Sequence, residues 1–142
     1  MMRQAFRAAA LVCTLAAPLA GVAADAKQLF IEPVALRGTL GGDPIQMNLR
    51  AKEEFADGVE GDYFRFGQSL KVLLAGEIEG EDVFLEESEN GTSISGEWNG
   101  KLSGDSFSGQ WLSADGKESR PFSLRIVRPA DTRRTTGAAA AK

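Results

Sequence analysis

Between Ile94 and Trp111 apolar and polar residues alternate on either side of Gly104-Asp105. A two-residue turn there sets Leu102 opposite Phe107, Gly100 opposite Gly109 and Trp98 opposite Trp111. All six share one face, because side chains alternate along a strand. Ser103 with Ser106, Lys101 with Ser108 and Asn99 with Gln110 take the other face. Gly-X is a favoured pair for tight hairpin turns. A one-residue slip would put both tryptophans in water, so this register is strongly specified.

The same reading extends along the chain. A Gly42-Asp43 turn predicts Leu40 opposite Ile45, Gly38 opposite Met47 and Leu36 opposite Leu49, with polar Arg37, Thr39, Gln46, Asn48 and Arg50 as their alternates. That is the pattern of a half-buried antiparallel pair. A two-residue turn at Asp57-Gly58 predicts Phe64 and Phe66 inward, opposite Ala51 and Leu49. A three-residue loop at Gly67-Gln68-Ser69 agrees, setting Phe66 against Leu70 and Phe64 against Val72, whereas a two-residue loop would turn Tyr63 and Arg65 inward. The phenylalanines are the preferred inward set. Leu70, Val72, Leu74, Gly76 and Ile78 then share one face. A Gly80-Glu81 turn sets Ile78 against Val83 and Gly76 against Leu85. The Asn90-Gly91 pair, a strong hairpin signal, sets Val83 against Trp98, Leu85 against Gly96 and Glu87 against Ile94. Finally Asp115-Gly116 sets Trp111 against Arg120, Gly109 against Phe122 and Phe107 against Leu124, with Ile126 completing the inward set.

The expected fold is therefore all-β: an eight-stranded antiparallel up-and-down meander spanning residues 34–127. One apolar face must be covered and the sheet edges managed. Closing the sheet into a barrel does both, and the inward glycines Gly38, Gly76, Gly96, Gly100 and Gly109 would permit sharp coiling. A twisted sheet folded into two layers is the alternative. Residues 25–33 read as a lead-in, partly ordered through Leu29 and Phe30, and 128–142 as a polar, basic, disordered tail.

Residues 1–24 change the picture of where the protein works. Arg3 and Arg7 precede a mostly apolar run from Ala8 to Ala20, and Val22-Ala23-Ala24 resembles a cleavage site before Asp25. This is the layout of a cleaved signal peptide, so the expected location is periplasmic or secreted. The apolar run is too short for a membrane span, and no other segment approaches ~20 apolar residues. Val12 before Cys13 argues against lipidation there. Cleavage leaves 118 residues, one domain's worth, and removes two arginines and no acids, moving the formal charge from −4 to −6. It also removes Cys13, the chain's single cysteine, and the chain has no histidine. Thiol and imidazole catalysis and most transition-metal sites go with them, so no metal or cofactor is expected. No serine has a histidine to activate it, Glu86 and Glu87 point to opposite faces, and the glycines make no phosphate loop. The expectation is a protein that is not an enzyme. The acidic balance disfavours nucleic acid as a partner.

The recurring G-x-W with D-G or N-G turns, in Gly96-Glu97-Trp98 and Gly109-Gln110-Trp111, resembles uncharacterised small exported bacterial β-meander proteins. In style it is similar to avidin and lipocalin barrels, over roughly Val34 to Val127. The resemblance implies a barrel and an interior ligand; no binding residue carries over from it.

Two groups of residues are candidates for binding. Trp98 and Trp111 face inward, either as a ring platform in a cavity or, the preferred reading, as a core pair. Glu87 and Arg120 are the charged residues the register turns inward, so each needs a partner, a ligand or water at the barrel mouth. Arg120 is placed to lie across Trp111. The second group is acidic: Glu77, Glu79, Glu81, Asp82, Glu86 and Glu89, in a stretch between Lys71 and Lys101 that also holds Glu97 and has no basic residue. It reads as a solvated face or as a surface for a cationic protein; calcium is disfavoured because no loop has calcium-hand spacing. Together these give a binding module for a small ligand or cationic partner. A solid-cored structural protein of the cell envelope is the alternative.

Overall fold

The computed structural model describes residues 26–128. The signal-peptide reading of 1–24 and the tail beyond Arg128 lie outside the described residues. A 3-10 helix, Ala26–Phe30, precedes eight strands: β1 (Val34–Leu40), β2 (Asp43–Ala51), β3 (Gly58–Arg65), β4 (Val72–Glu79), β5 (Asp82–Ser88), β6 (Gly96–Ser103), β7 (Ser106–Ser113) and β8 (Ser119–Ile126). Each strand pairs antiparallel with the next, and β1 pairs with β8 to close the barrel. The expected meander is closed, so no edge strand is left to pair with another chain.

Three registers match the sequence reading: Ile78↔Val83 and Gly76↔Leu85, Trp98↔Trp111 and Leu102↔Phe107, and Trp111↔Arg120 and Phe107↔Leu124. Two others are displaced by two residues. The first hairpin turns at Gly41-Gly42, both at positive φ, so Leu36 faces Met47 and Gly38 faces Ile45. Gly42-Asp43 is not the turn, because two adjacent glycines supply the left-handed backbone that a tight hairpin needs. Likewise β5 and β6 pair as Val83↔Gly100, Leu85↔Trp98 and Glu87↔Gly96. The connecting loop is longer than a two-residue Asn90-Gly91 turn, because the Asn90 side chain accepts from the backbone of Thr92 and Ser93 and organises a wider bend. Ile94 sits in that loop, 47% exposed, and not opposite Glu87. A shift of two preserves every face.

The β2–β3 and β3–β4 registers correct the phenylalanine assignment. The ladder runs Ala51↔Val59, Leu49↔Gly61 and Met47↔Tyr63, and then Tyr63↔Val72. Tyr63 is therefore buried, while Phe66 and Leu70 are about half exposed. The cause is the connection: residues 52–57 form a loop in which Lys52 N donates to Gly58 O, in place of a two-residue turn at Asp57-Gly58. An odd displacement swaps the two faces of a strand.

Four linked rings fill the interior. Tyr63 meets Trp98 edge-on at 5.0 Å, Trp98 meets Phe122 at 5.0 Å, and Phe122 meets Phe107 at 4.9 Å. Leucines, isoleucines and valines from every strand but β7, which contributes Phe107 and Trp111, pack around them. At the lower end, which carries residues 52–57 and the turns at 80–81 and 104–105, the 3-10 helix adds buried Phe30 and Ala26 to the core. The lead-in is thus an ordered part of the fold.

Inward glycines mark where the sheet coils most sharply. A Cβ on Gly76 would stand 1.9 Å from Phe84 O, and one on Gly109 would stand 2.0 Å from Asn99 O. Strand backbones approach there as only glycine permits. Gly100 faces Phe107 and Phe122, whose rings lie 2.7 and 2.6 Å from its would-be Cβ; these rings, and not the tryptophans, occupy the space it leaves.

Two loop carboxylates tie hairpins together. Ser113 Oγ donates to Asp115 Oδ1 at 2.6 Å, and Lys117 N donates to the same oxygen at 2.9 Å. Asp105 accepts from Arg128. These bonds hold both carboxyls below the usual aspartate range, through Ser113 first for Asp115 and through Arg128 for Asp105. A lowered folded-state pKa contributes stability above the unfolded-state value, and that contribution is lost as pH falls through the folded value. In an acid titration followed by NMR, Ser113→Ala should move the Asp115 midpoint upward and leave Asp105 in place. An unmoved Asp115 would dissociate the shift from the serine.

Candidate functional site

The register brings Glu87, Trp98, Trp111 and Arg120 together at the upper end of the barrel, beside the turns at 41–42 and 114–118 and the loop 89–95. Glu87 is 2% exposed. Its Oε2 accepts from Trp98 Nε1 at 2.8 Å and its Oε1 from Ser95 Oγ at 3.1 Å. The Tyr63 hydroxyl also reaches this carboxylate, and burial first, then the Glu87 charge, push the phenol well above its ordinary range. Tyr63 is therefore a donor at any physiological pH. A buried carboxylate needs such partners, because an unpaired charge in the core is costly.

Above this network lies a rim of charge. The Arg120 guanidinium sits over the Trp111 ring at 5.8 Å, and that of Arg65 over Tyr63 at 5.9 Å. Asp43 joins them, 3.9 Å from Arg120 and 3.8 Å from Arg65, and Glu118 adds a 3.7 Å contact to Arg120. Arg120 is thus partly exposed at a strand end with its stem over the indole, as long cationic side chains commonly lie. Sequence reading did not select Tyr63, Ser95, Arg65 or Asp43. Tyr63 and Arg65 follow from the inverted face of β3, and Ser95 and Asp43 depend on loop geometry that periodicity does not encode.

The acidic residues lie elsewhere, on the outside of β4–β6. A groove of about 630 Å³ there is lined by Glu77, Glu79, Asp82, Phe84, Asn99 and Lys101 among others. A second groove, of about 580 Å³, includes Leu73, Ala75, Glu86 and Ile94. Phe84, Leu73 and Ile94 are 39%, 49% and 47% exposed, so apolar surface is interleaved with the carboxylates. Lys101 pairs with Asp82 at 3.8 Å. Among the described residues Glu77, Glu79, Glu81, Glu86, Glu89 and Glu97 have no ion-pair partner. Glu86 stands directly opposite Glu97 on the neighbouring strand. Glu81 lies in the β4–β5 turn and Glu89 in the loop after β5, at opposite ends of the barrel.

Among the described residues no cluster of acidic side chains could hold a metal ion, and no helix is long and apolar enough to cross a membrane. No protein-family model matches the sequence, and a comparison with curated proteins finds no match, so these two sites are what the chain itself offers as a guide to its role.

Proposed function

We propose that this protein is a non-enzymatic binding module, exported to the periplasm or beyond, that recognises a cationic partner on the outer face of β4–β6. The opposed pair Glu86 and Glu97 carries this reading. Like charges directly opposite one another in a sheet are destabilising, and such pairs are worth roughly 0.2–1 kcal/mol. Here the cost stands beside further carboxylates without counter-charges and beside exposed Phe84. A basic segment with aliphatic stems, such as an arginine- or lysine-rich peptide, would relieve the repulsion and cover the apolar surface together. The filled interior favours this surface over a ligand enclosed in the barrel.

Titration with a hexa-arginine peptide tests the reading. Glu79→Lys, Glu86→Lys and Glu97→Lys combined should weaken binding at least about tenfold, a change of roughly 1.4 kcal/mol. Binding by the natural sequence should fall as salt rises, because exposed charges are screened beyond ~8–10 Å. Glu97→Lys alone should weaken the peptide and yet raise the denaturation midpoint slightly, since it turns a repulsive pair into an attractive one. Equal affinity in all variants at every salt concentration would reject the surface. Export is tested separately by the mass of native protein: a chain beginning at Asp25 is expected, and an intact Met1 on cytoplasmic protein would sink the claim.

A further inference from the structure

Two strand pairs of the barrel set like charges directly opposite one another, and they differ in sign. Glu86 faces Glu97 across β5 and β6, while Arg37 faces Arg125 across β1 and β8. Both arginines are exposed. Neither makes an ion pair among the described residues, and their outward neighbours Thr39, Gln46 and Ser123 carry no charge. Arg125 exerts only a distant pull on Asp105. Arg37 donates through Nε to Gln46 Oε1 at 2.9 Å and lies over the Phe66 ring at 6.0 Å. Its fork is thus held in place, with the terminal nitrogens left for a carboxylate. Phe66 is itself 47% exposed and meets Phe64 edge-on at 5.5 Å. The outward row from β8 to β3 reads Arg125, Arg37, Gln46, Phe64: basic, with an aromatic end.

The acidic face repeats this arrangement with the sign reversed. Its outward row from β4 to β7 reads Ala75, Glu86, Glu97, Leu112, with exposed Phe84 beside it. Each like-charge pair costs stability in the isolated molecule. Docking one face on the other relieves both pairs and covers Phe66 and Phe84 together. The two seams lie three strand interfaces apart around the ring, so one molecule cannot bring its own faces together. A second copy can. The net charge of −4 opposes the approach of copies, but that repulsion is screened beyond ~8–10 Å near physiological ionic strength, whereas touching pairs are not. Such a contact is heterologous: it leaves one acidic and one basic face free, so association continues into a ring or a chain of molecules.

We propose that the cationic partner of the acidic β4–β6 face is the Arg37–Arg125 face of a second copy of this chain. This rests on the reading of the acidic face as a site for a cationic partner, and the test separates the two. Sedimentation of the purified protein at about 0.15 M salt should show an average mass that rises with concentration. Arg37→Glu with Arg125→Glu, and separately Glu86→Lys with Glu97→Lys, should each sediment as a monomer with the circular dichroism of the natural protein. Mixed in equal amounts, the two variants should associate again, because each retains the face that the other has lost. Hexa-arginine should dissolve the natural assembly and still bind the arginine-reversed variant. A natural protein that binds hexa-arginine yet stays monomeric up to about 1 mM would overturn the second copy and leave the acidic face standing. Absence of both peptide binding and self-association would reject both. Association that survives in either double variant, or folded variants that fail to associate when mixed, would also overturn the proposal.

Discussion

Glu87→Ala should be among the most damaging single substitutions in the barrel, lowering stability by about 3–5 kcal/mol. The carboxylate is buried and holds Trp98 Nε1 directly, with Ser95 and the Tyr63 hydroxyl on the same group. Removing it strands two buried donors on the aromatic residues, each costing about 1–3 kcal/mol, and also loses bonds to a charged acceptor. For a domain of this size the thermal midpoint should fall by roughly 15 °C. Glu87→Gln keeps an acceptor and should lose less. Glu86→Ala, one residue away on the outer face, should stay within about 0.5 kcal/mol. Thermal unfolding followed by tryptophan fluorescence separates these cases, because Trp98 reports on the bond itself. If Glu87→Ala and Glu86→Ala melt together, Glu87 faces solvent and the inward register of β5 is wrong.

The second large effect should come from single methyl groups. Gly76→Ala and Gly109→Ala each set a Cβ within 2.0 Å of a carbonyl oxygen on the adjacent strand. Backbone atoms cannot rotate away as a side chain can, so neighbouring strands would have to separate. Overpacking commonly costs about 1–3 kcal/mol, and these contacts place both variants at the upper end of that range. Ala75→Ser, next to Gly76 but outward, should be nearly neutral. Denaturant midpoints for the three variants suffice. Unchanged midpoints in both glycine variants would show that the sheet coils less tightly than the backbone approach implies.

The contrast between the legible and illegible parts of the chain has a simple physical basis. Side chains alternate with a period of two, so a turn misplaced by one position on each strand, as at Gly41-Gly42, leaves Leu36, Leu40, Met47 and Leu49 facing inward. Faces are therefore easier to read than pairs. β3 had no such protection. Its sequence, with Tyr63 between Asp62 and Phe64, offers aromatic residues on both faces, and only the length of the 52–57 loop decides between them. Inward placement of Glu87 and Arg120 followed from hairpins whose parity was right, which brought four candidate residues to one end of the barrel. Glu97 was legible as one of the acidic residues between Lys71 and Lys101, but its place on the acidic face was not. Its significance depends on standing opposite Glu86, a cross-strand fact that emerges only when the β5–β6 register is fixed.

The β1–β8 closure has a kinetic consequence. Seven of the eight interfaces join strands that are neighbours in sequence, while Leu36 must find Ile126 from the far end of the meander. The entropy of closing that long loop is concentrated in one step, and long-range pairing of this kind slows folding. Yet the two ends it joins are close in space: Val127 N donates to Ala35 O at 2.8 Å. A linker from the end of β8 to the start of the 3-10 helix, which keeps Phe30 in the core, with a new opening cut at the Gly104-Asp105 turn, would make β1–β8 a sequence-local pair and β6–β7 the distant one. The permuted chain should reach the same barrel along a different order of events, with the Trp98–Trp111 contact forming last.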